Sequence, residues 1–179
     1  IAAQGDTTTV KVLTLNTGMV AEITVQTPNG EIDYEGDTRI DGAPGYSAPI
    51  KINFLDTTGS VAGSLLPTGN VVDVFSIDGV GDLQATCIDN GMPMVLVRAS
   101  DMQRTAYESV ADLNQDTELK AKTEELRLQA ALKMGLGDVS GKNYPKMCVL
   151  NSPINGGAIH TRCYIPHVCH DAIGVLAAV

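Results

Sequence analysis

The sequence predicts an α+β fold: mostly antiparallel strands, helices inserted late, and a last apolar helix enclosed by a sheet. Three observations carry this. Short alternating runs rich in β-branched residues, punctuated by Gly, Asn and Pro, fill residues 8 to 97. The long helical spacing of Asp116–Met134 comes only after them. The final stretch, Ala172 to Val179, is apolar all round, and a helix of that kind is a buried one.

The elements follow in order. Thr8–Leu15 reads as a strand, Asn16–Gly18 as a turn, and Met19–Thr27 as a second alternating strand. Pro28-Asn29-Gly30 then turns the chain back into Glu31–Tyr34, because Asn-Gly accepts the positive φ angles of a tight hairpin. Glu35–Ala48, rich in Gly, Asp and Pro, is a crossing segment. Pro49–Asp56 is a strand and Thr57–Gly63 a loop. Leu66-Pro67-Thr68-Gly69-Asn70 is a polar turn between apolar flanks. Leu83–Asp89 and Met94–Val97 are strands about the turn Asn90-Gly91-Met92-Pro93. Ala99–Asp112 reads as a helix capped by Ser100 or Asp101. Asp116–Met134 is the long helix, with acidic residues at its start and Gly135 at its end. Pro145–Leu150 and Ala158–Ile165 are the last strands.

The chain has 179 residues, 44% hydrophobic and 18% charged, enough to bury a core. Net charge is −9 with no basic patch, which argues against nucleic acid as a partner. The terminal apolar run is about eight residues, against the ~20 that span a bilayer, so no membrane partner is expected. The four cysteines, 87, 148, 163 and 169, form no Cys-x-x-Cys and suit reduced thiols in a cytoplasmic protein. The chain starts at Ile1 and stops at Val179 inside the apolar run, so a piece of a longer protein is expected.

The chemistry concentrates near the end, in Tyr164-Ile-Pro-His-Val-Cys-His170. Pro166 suits the first turn of a helix, whose leading amides lack internal partners and carry the positive end of the dipole. His167, Cys169 and His170 would then ring an anion site, with the Cys169 thiol acidified by the helix start. The turns holding Thr68 and Asn70, and Asn90, Gly91 and Met92, should lie at the same sheet end. Plain helix capping and an ordinary buried thiol are the simpler alternatives. A metal is not expected. His167-x-x-His170 offers two ligands where sites take three or four, and His160 and Cys163 would point to opposite faces of a strand.

Several stretches together resemble a known family: Val25-Gln-Thr-Pro-Asn-Gly30, Tyr34-Glu-Gly36, Arg39-Ile-Asp-Gly42, Phe54-Leu55, Leu66-Pro-Thr-Gly-Asn70, Thr86-Cys-Ile-Asp89, Gly135-Leu-Gly-Asp-Val-Ser140 and Pro166-His-Val-Cys-His170. In this order and spacing they are similar to the methylaconitate isomerase family, and within it to the 4-oxalomesaconate tautomerase branch. The resemblance implies a diaminopimelate-epimerase-like fold of two lobes, each a sheet around a central helix, with the active site between them. It implies that residues 1–47 end the first lobe and 48–179 form most of the second, cut within its central helix. It implies cofactor-independent proton transfer along an unsaturated di- or tricarboxylic acid. The family's lysine and cysteine belong to an Asn-Cys-Gly-Asn type segment and a stretch before it. Neither pattern occurs here, so no catalytic acid or base is assigned to this chain, and the missing first-lobe segment is an expected partner, as is a second copy in a homodimer. Where part of the family has Gly-Asn-Pro this chain has Gly91-Met92-Pro93. Methylaconitate, methylitaconate or aconitate isomerisation, a non-catalytic binding domain, and a cofactor-free amino-acid racemase or epimerase are the alternatives.

Overall fold

The computed structural model describes residues 2–15, 18–40 and 43–179. It holds two compact units, residues 1–57 and 58–179. The first unit is a three-stranded antiparallel sheet in the order β1-β2-β3, with β1 Thr7–Leu13, β2 Val20–Gln26 and β3 Lys51–Leu55. Val10, Ile23 and Ile52 lie level across it, so alternation gives the sheet one apolar face. Because β3 pairs with β2, this unit runs on through Leu55.

One sequence expectation changes here. Asn29 and Gly30 do take positive φ, 60° and 84°, as an Asn-Gly turn requires. Glu31–Tyr34 nevertheless forms no strand, because β1 and β3 already occupy both edges of β2. One bond, Asp33 N–H to Gln26 O at 3.0 Å, is all that remains of the expected hairpin ladder. Of the turn expected at Asn16–Gly18 and the stretch Arg39–Gly42, residues 16, 17, 41 and 42 lie outside the described residues.

The second unit is a five-stranded sheet in the order β4-β5-β6-β7-β8. Its strands are β4 Asp73–Ile77, β5 Gly81–Asp89, β6 Pro93–Arg98, β7 Lys146–Asn151 and β8 His160–Tyr164. All neighbours are antiparallel except β6 and β7, which run parallel, from Met94 beside Lys146 to Arg98 beside Leu150. A parallel pair needs a long crossover. Residues 99–145 supply it, with helices α1 Val110–Gln115 and α2 Thr117–Lys133.

The helix expected over Ala99–Asp112 is broken. Gln103 and Ala106 have φ near +60°, a left-handed conformation that ends any helix, so only a 3-10 turn at Ser100–Met102 precedes it. The true cap is Ser109, whose Oγ accepts from Asp112 N–H at 3.1 Å. Asp116 likewise caps α2 by accepting from Leu119 N–H at 2.9 Å.

One face of the sheet packs on these helices. Phe75, Cys87, Val95, Val97, Met147, Val149 and Tyr164 meet Leu113, Leu119, Leu126, Ala130 and Met134 in the main core. The other face carries a smaller cluster of Met94, Cys148 and Cys163, flanked by Ile88, Met92, Leu96, Leu150 and Ala177. Ala177 belongs to α3, Val175–Ala178.

Arg127 ties the crossover to its helix. Its side chain is fully buried, bonds Glu124 through two nitrogens at 2.6 and 2.8 Å, and donates to Val139 O and Tyr144 O at 3.1 and 3.0 Å. Arg127→Met leaves those carbonyls and a carboxylate without their donor, so it should lower the stability of this unit by about 3–5 kcal/mol in urea unfolding. Leu132→Ala, on an exposed side chain, should cost less than about 0.5 kcal/mol. Equal costs at the two positions would show that Arg127 holds nothing together.

Candidate active site

One end of the five-stranded sheet gathers the polar turns. The start of β4, the end of β5, the starts of β6 and β7 and the end of β8 all lie there by register. The turn at Asn90–Met92, the turn at Leu66–Asn70 and the segment after Tyr164 therefore share one sheet end, as the sequence suggested. A cavity of about 370 Å³, lined by Arg98, Ser100, Asn151 and Ile159 among others, lies at the opposite end.

The segment after Tyr164 is not a helix. It is a hairpin that continues β8 back along its own outer edge. Ile165 N–H donates to Val168 O at 2.9 Å, Tyr164 pairs with Cys169, and His170 N–H donates to Cys163 O at 2.8 Å. Pro166 and His167 form its tip. The fixed φ of proline serves a turn as well as a helix start, which is why the sequence did not separate them. The helix begins nine residues later, at Val175, and none of its residues is buried.

This changes the chemistry of the cluster. The amide of His170 is committed to β8, and the amide of Cys169 is committed to Asn114. Asn114, from α1, accepts from Cys169 N–H at 2.8 Å and donates to Cys169 O at 3.2 Å. These amides are therefore not the free donors expected of a helix mouth. The Cys169 thiol is buried, and burial raises its pKa where a helix start would have lowered it. His167 and His170 remain exposed at or near the hairpin tip. His170 Nδ1 accepts from Ala172 N–H at 3.2 Å, which leaves Nε2–H as the ring's donor on an exposed side chain. His167 Nδ1 is 3.5 Å from a Glu124 oxygen.

The neighbouring turns are held by two buried acids. Asp89 is fully buried at the end of β5. Its carboxylate accepts from Ser60 Oγ at 2.8 Å and from the amides of Val61 and Ala62 at 2.7 Å. It pins the 59–62 loop beside Asn90 and Gly91. Gly91 has φ +91°, which a side chain at that position would resist. Asn90 donates to Val179 O at 3.1 Å, and Met92 packs on the small sheet-face cluster. Asp73, at the start of β4, accepts from Thr68 Oγ1 at 2.5 Å and from Asn70 Nδ2 at 3.0 Å. The polar side chains of Thr68 and Asn70 thus brace their own turn.

Comparison with known proteins is consistent end to end. The profile of the PrpF protein family matches residues 1–179. The chain belongs to the PrpF protein family. It is 49% identical over 179 residues to the 4-oxalomesaconate tautomerase of Pseudomonas putida, covering 100% of this chain and 48% of that one. It is 50% identical over 179 residues to the (4E)-oxalomesaconate Delta-isomerase of a Novosphingobium species, covering 100% and 49%. A crystal structure of methylitaconate-delta-isomerase superposes with a TM-score of 0.85 at 29% identity, over 99% of this chain and 50% of the other. The chain thus spans about half the length of the curated relatives it matches. The diaminopimelate-epimerase-like α+β fold class expected from the sequence stands.

Within this PrpF-family chain the structure adds a residue that the sequence reading passed over. Lys146 opens β7 at the same sheet end, level with Met94 and on the face of Cys148. It forms no ion pair among the described residues. Its position after Pro145 at a strand start was the available signal. Cys87 is unsuited to proton transfer, since burial foremost pushes its thiol up to about 12. Among the described residues no three His, Cys, Asp or Glu side chains converge as metal ligands.

Asp73 makes a pH test. Burial alone would raise its carboxyl, but the bonds from Thr68 and Asn70 and the nearby Lys133 together hold it below its ordinary 3.8. A carboxyl lowered in the folded state adds stability that is complete above its unfolded value and lost as pH falls through its folded value. Unfolding free energy measured from pH 6 down to pH 2 should therefore fall below about pH 4. Asp73→Asn should flatten that fall and lower the plateau above it. An unchanged slope in the variant would show that Asp73 does not carry the linkage.

Proposed function

We propose that the whole protein is an isomerase that moves a proton along an unsaturated di- or tricarboxylic acid. Its reaction is 4-oxalomesaconate tautomerisation or the closely related allylic shift, without an organic cofactor. The end-to-end match to relatives named for oxalomesaconate chemistry carries this reading. A second reading, isomerisation of methylitaconate or methylaconitate, draws support from the 3-methylitaconate isomerase of Eubacterium barkeri, 38% identical over 121 residues. A cytoplasmic, homodimeric enzyme completes the proposal.

Removing a proton beside a carboxylate builds enolate charge. A base must take the proton, an acid must return it, and fixed donors must hold the charge between. This chain would supply the donors, and the acid and base would come from the segment of the first lobe outside it. His170 Nε2–H, His167 and Lys146 are the groups we assign to substrate carboxylates. The turns of Thr68, Asn70, Asn90, Gly91, Met92 and Cys169 set the walls and hold those donors in place. A charged acceptor makes such bonds stronger than neutral pairs.

Loss of one donor to a charged acceptor costs roughly 1.5–3 kcal/mol. In the full-length enzyme His170→Ala should therefore raise the Michaelis constant about 10- to 100-fold and lower the turnover number much less. His170→Gln should recover part of the loss. Turnover abolished at saturating substrate would instead make His170 an acid or base.

The isolated 1–179 chain should not isomerise 4-oxalomesaconate in a spectrophotometric assay. Turnover near the full-length rate would place the acid and base within these residues.

A further inference from the structure

Cys148 and Cys163 face each other across β7 and β8 as direct register partners. Both are free and buried, on the sheet face opposite the main core. The hydrogen-bond pattern fixes what kind of pair they form. His170 N–H donates to Cys163 O at 2.8 Å, so the main-chain polar groups of Cys163 point to the outer edge of β8, away from β7. Ala99 N–H donates to Leu150 O at 2.8 Å, so Leu150, and by alternation Cys148, turns its polar groups toward β6. The two cysteines are therefore a non-hydrogen-bonded antiparallel pair. Such pairs have Cα atoms about 4.5 Å apart and side chains closer than in the alternating class. That falls inside the ~4.4–6.8 Å that a disulfide spans.

We infer that Cys148 and Cys163 are a dithiol site that exchanges with low-molecular-weight disulfides to form a reversible cross-strand disulfide. The neighbouring Cys148 thiol, with Lys146, holds the Cys163 thiol below its ordinary value against burial. Cys148 moves the opposite way, raised first by the neighbouring Cys163 side chain. On the proposed route Cys163, on β8, is the attacking sulfur. Its thiolate displaces one thiolate from the small disulfide and forms a mixed disulfide. Cys148 then loses its proton and attacks Cys163 Sγ, and the second small thiolate leaves. Two thiols and one disulfide become one disulfide and two thiols, with no other oxidant. The pair packs under Met94, Leu96, Leu150 and Ala177, so a small disulfide reaches it through local opening of that face.

The test is to hold the full-length protein in glutathione–glutathione disulfide buffers under native conditions and map the peptides by mass spectrometry. A Cys148–Cys163 cross-link, two hydrogens lighter and reversed by dithiothreitol, is the expected result. Cys148→Ala should trap glutathione on Cys163, and Cys163→Ala should leave Cys148 unmodified. The wild-type map suffices if either variant fails to fold. Thiols that stay reduced until urea unfolds the chain, or a cross-link through Cys87 or Cys169 instead, would overturn the inference.

Discussion

The parallel pairing of β6 with β7 decides where everything else in the second unit lies. Two strands that run side by side in one direction cannot be joined by a turn. The crossover of residues 99–145 must return along the sheet, and it does so as α1 and α2 on one face. That face becomes the core. The same pairing sets the starts of β6 and β7 side by side, and antiparallel neighbours bring the ends of β5 and β8 to them. Thus the Gly91 turn, Lys146 and the His167–His170 hairpin meet through topology, although 79 positions separate Gly91 from His170 in the numbering.

At that sheet end, side chains do what a longer sheet would otherwise do. Asp89 replaces a ladder partner for the amides of Val61 and Ala62. Asn114 presents one acceptor and one donor to Cys169, as a neighbouring strand would. Asp73 collects Thr68 and Asn70 into one turn. Buried backbone polar groups must find partners, and these side chains meet that demand. The hairpin amides are therefore committed, and the proposed function would leave carboxylate recognition to side chains, the imidazoles of His167 and His170 and the ammonium of Lys146.

Much of the fold was legible because it rests on local chemistry. The helix at Thr117–Lys133 lies within its predicted bounds since Asp116 caps it and Gly135 follows it. Seven of the eight described strands were marked by alternation between turn residues. The strand left out is β4, Asp73–Ile77, although its residues alternate between buried and exposed; the other misses come from competition for partners that single-strand patterns do not show. Glu31–Tyr34 has strand composition but no free edge to join. The break at Gln103 and Ala106 is set by the return of the chain toward β8, where His160 Nε2 meets Ala106 O at 2.8 Å. At the candidate site, the sheet end and the exposed histidines were legible. Pro166 was ambiguous, because its fixed φ suits a hairpin tip and a helix start alike. Asn114 could not be found from sequence at all, since its role is a contact across 55 residues.

Electrostatics narrows how a polycarboxylate would be received. The chain carries −9, so its average field opposes an anion, and local cations must reverse it. Several cations are already committed to acids of this chain: Arg104 to Asp116, Lys122 to Glu118, Arg127 to Glu124, Lys133 to Asp73. A committed cation offers little to a second anion, because its field is largely cancelled at close range. Lys146 differs from these in having no such partner among the described residues, and it lies at the same sheet end as the exposed His170. One unpaired ammonium balances about one carboxylate. A substrate with two or three must therefore meet its other countercharges elsewhere. Under the proposed function, those countercharges would come from residues beyond the ones described.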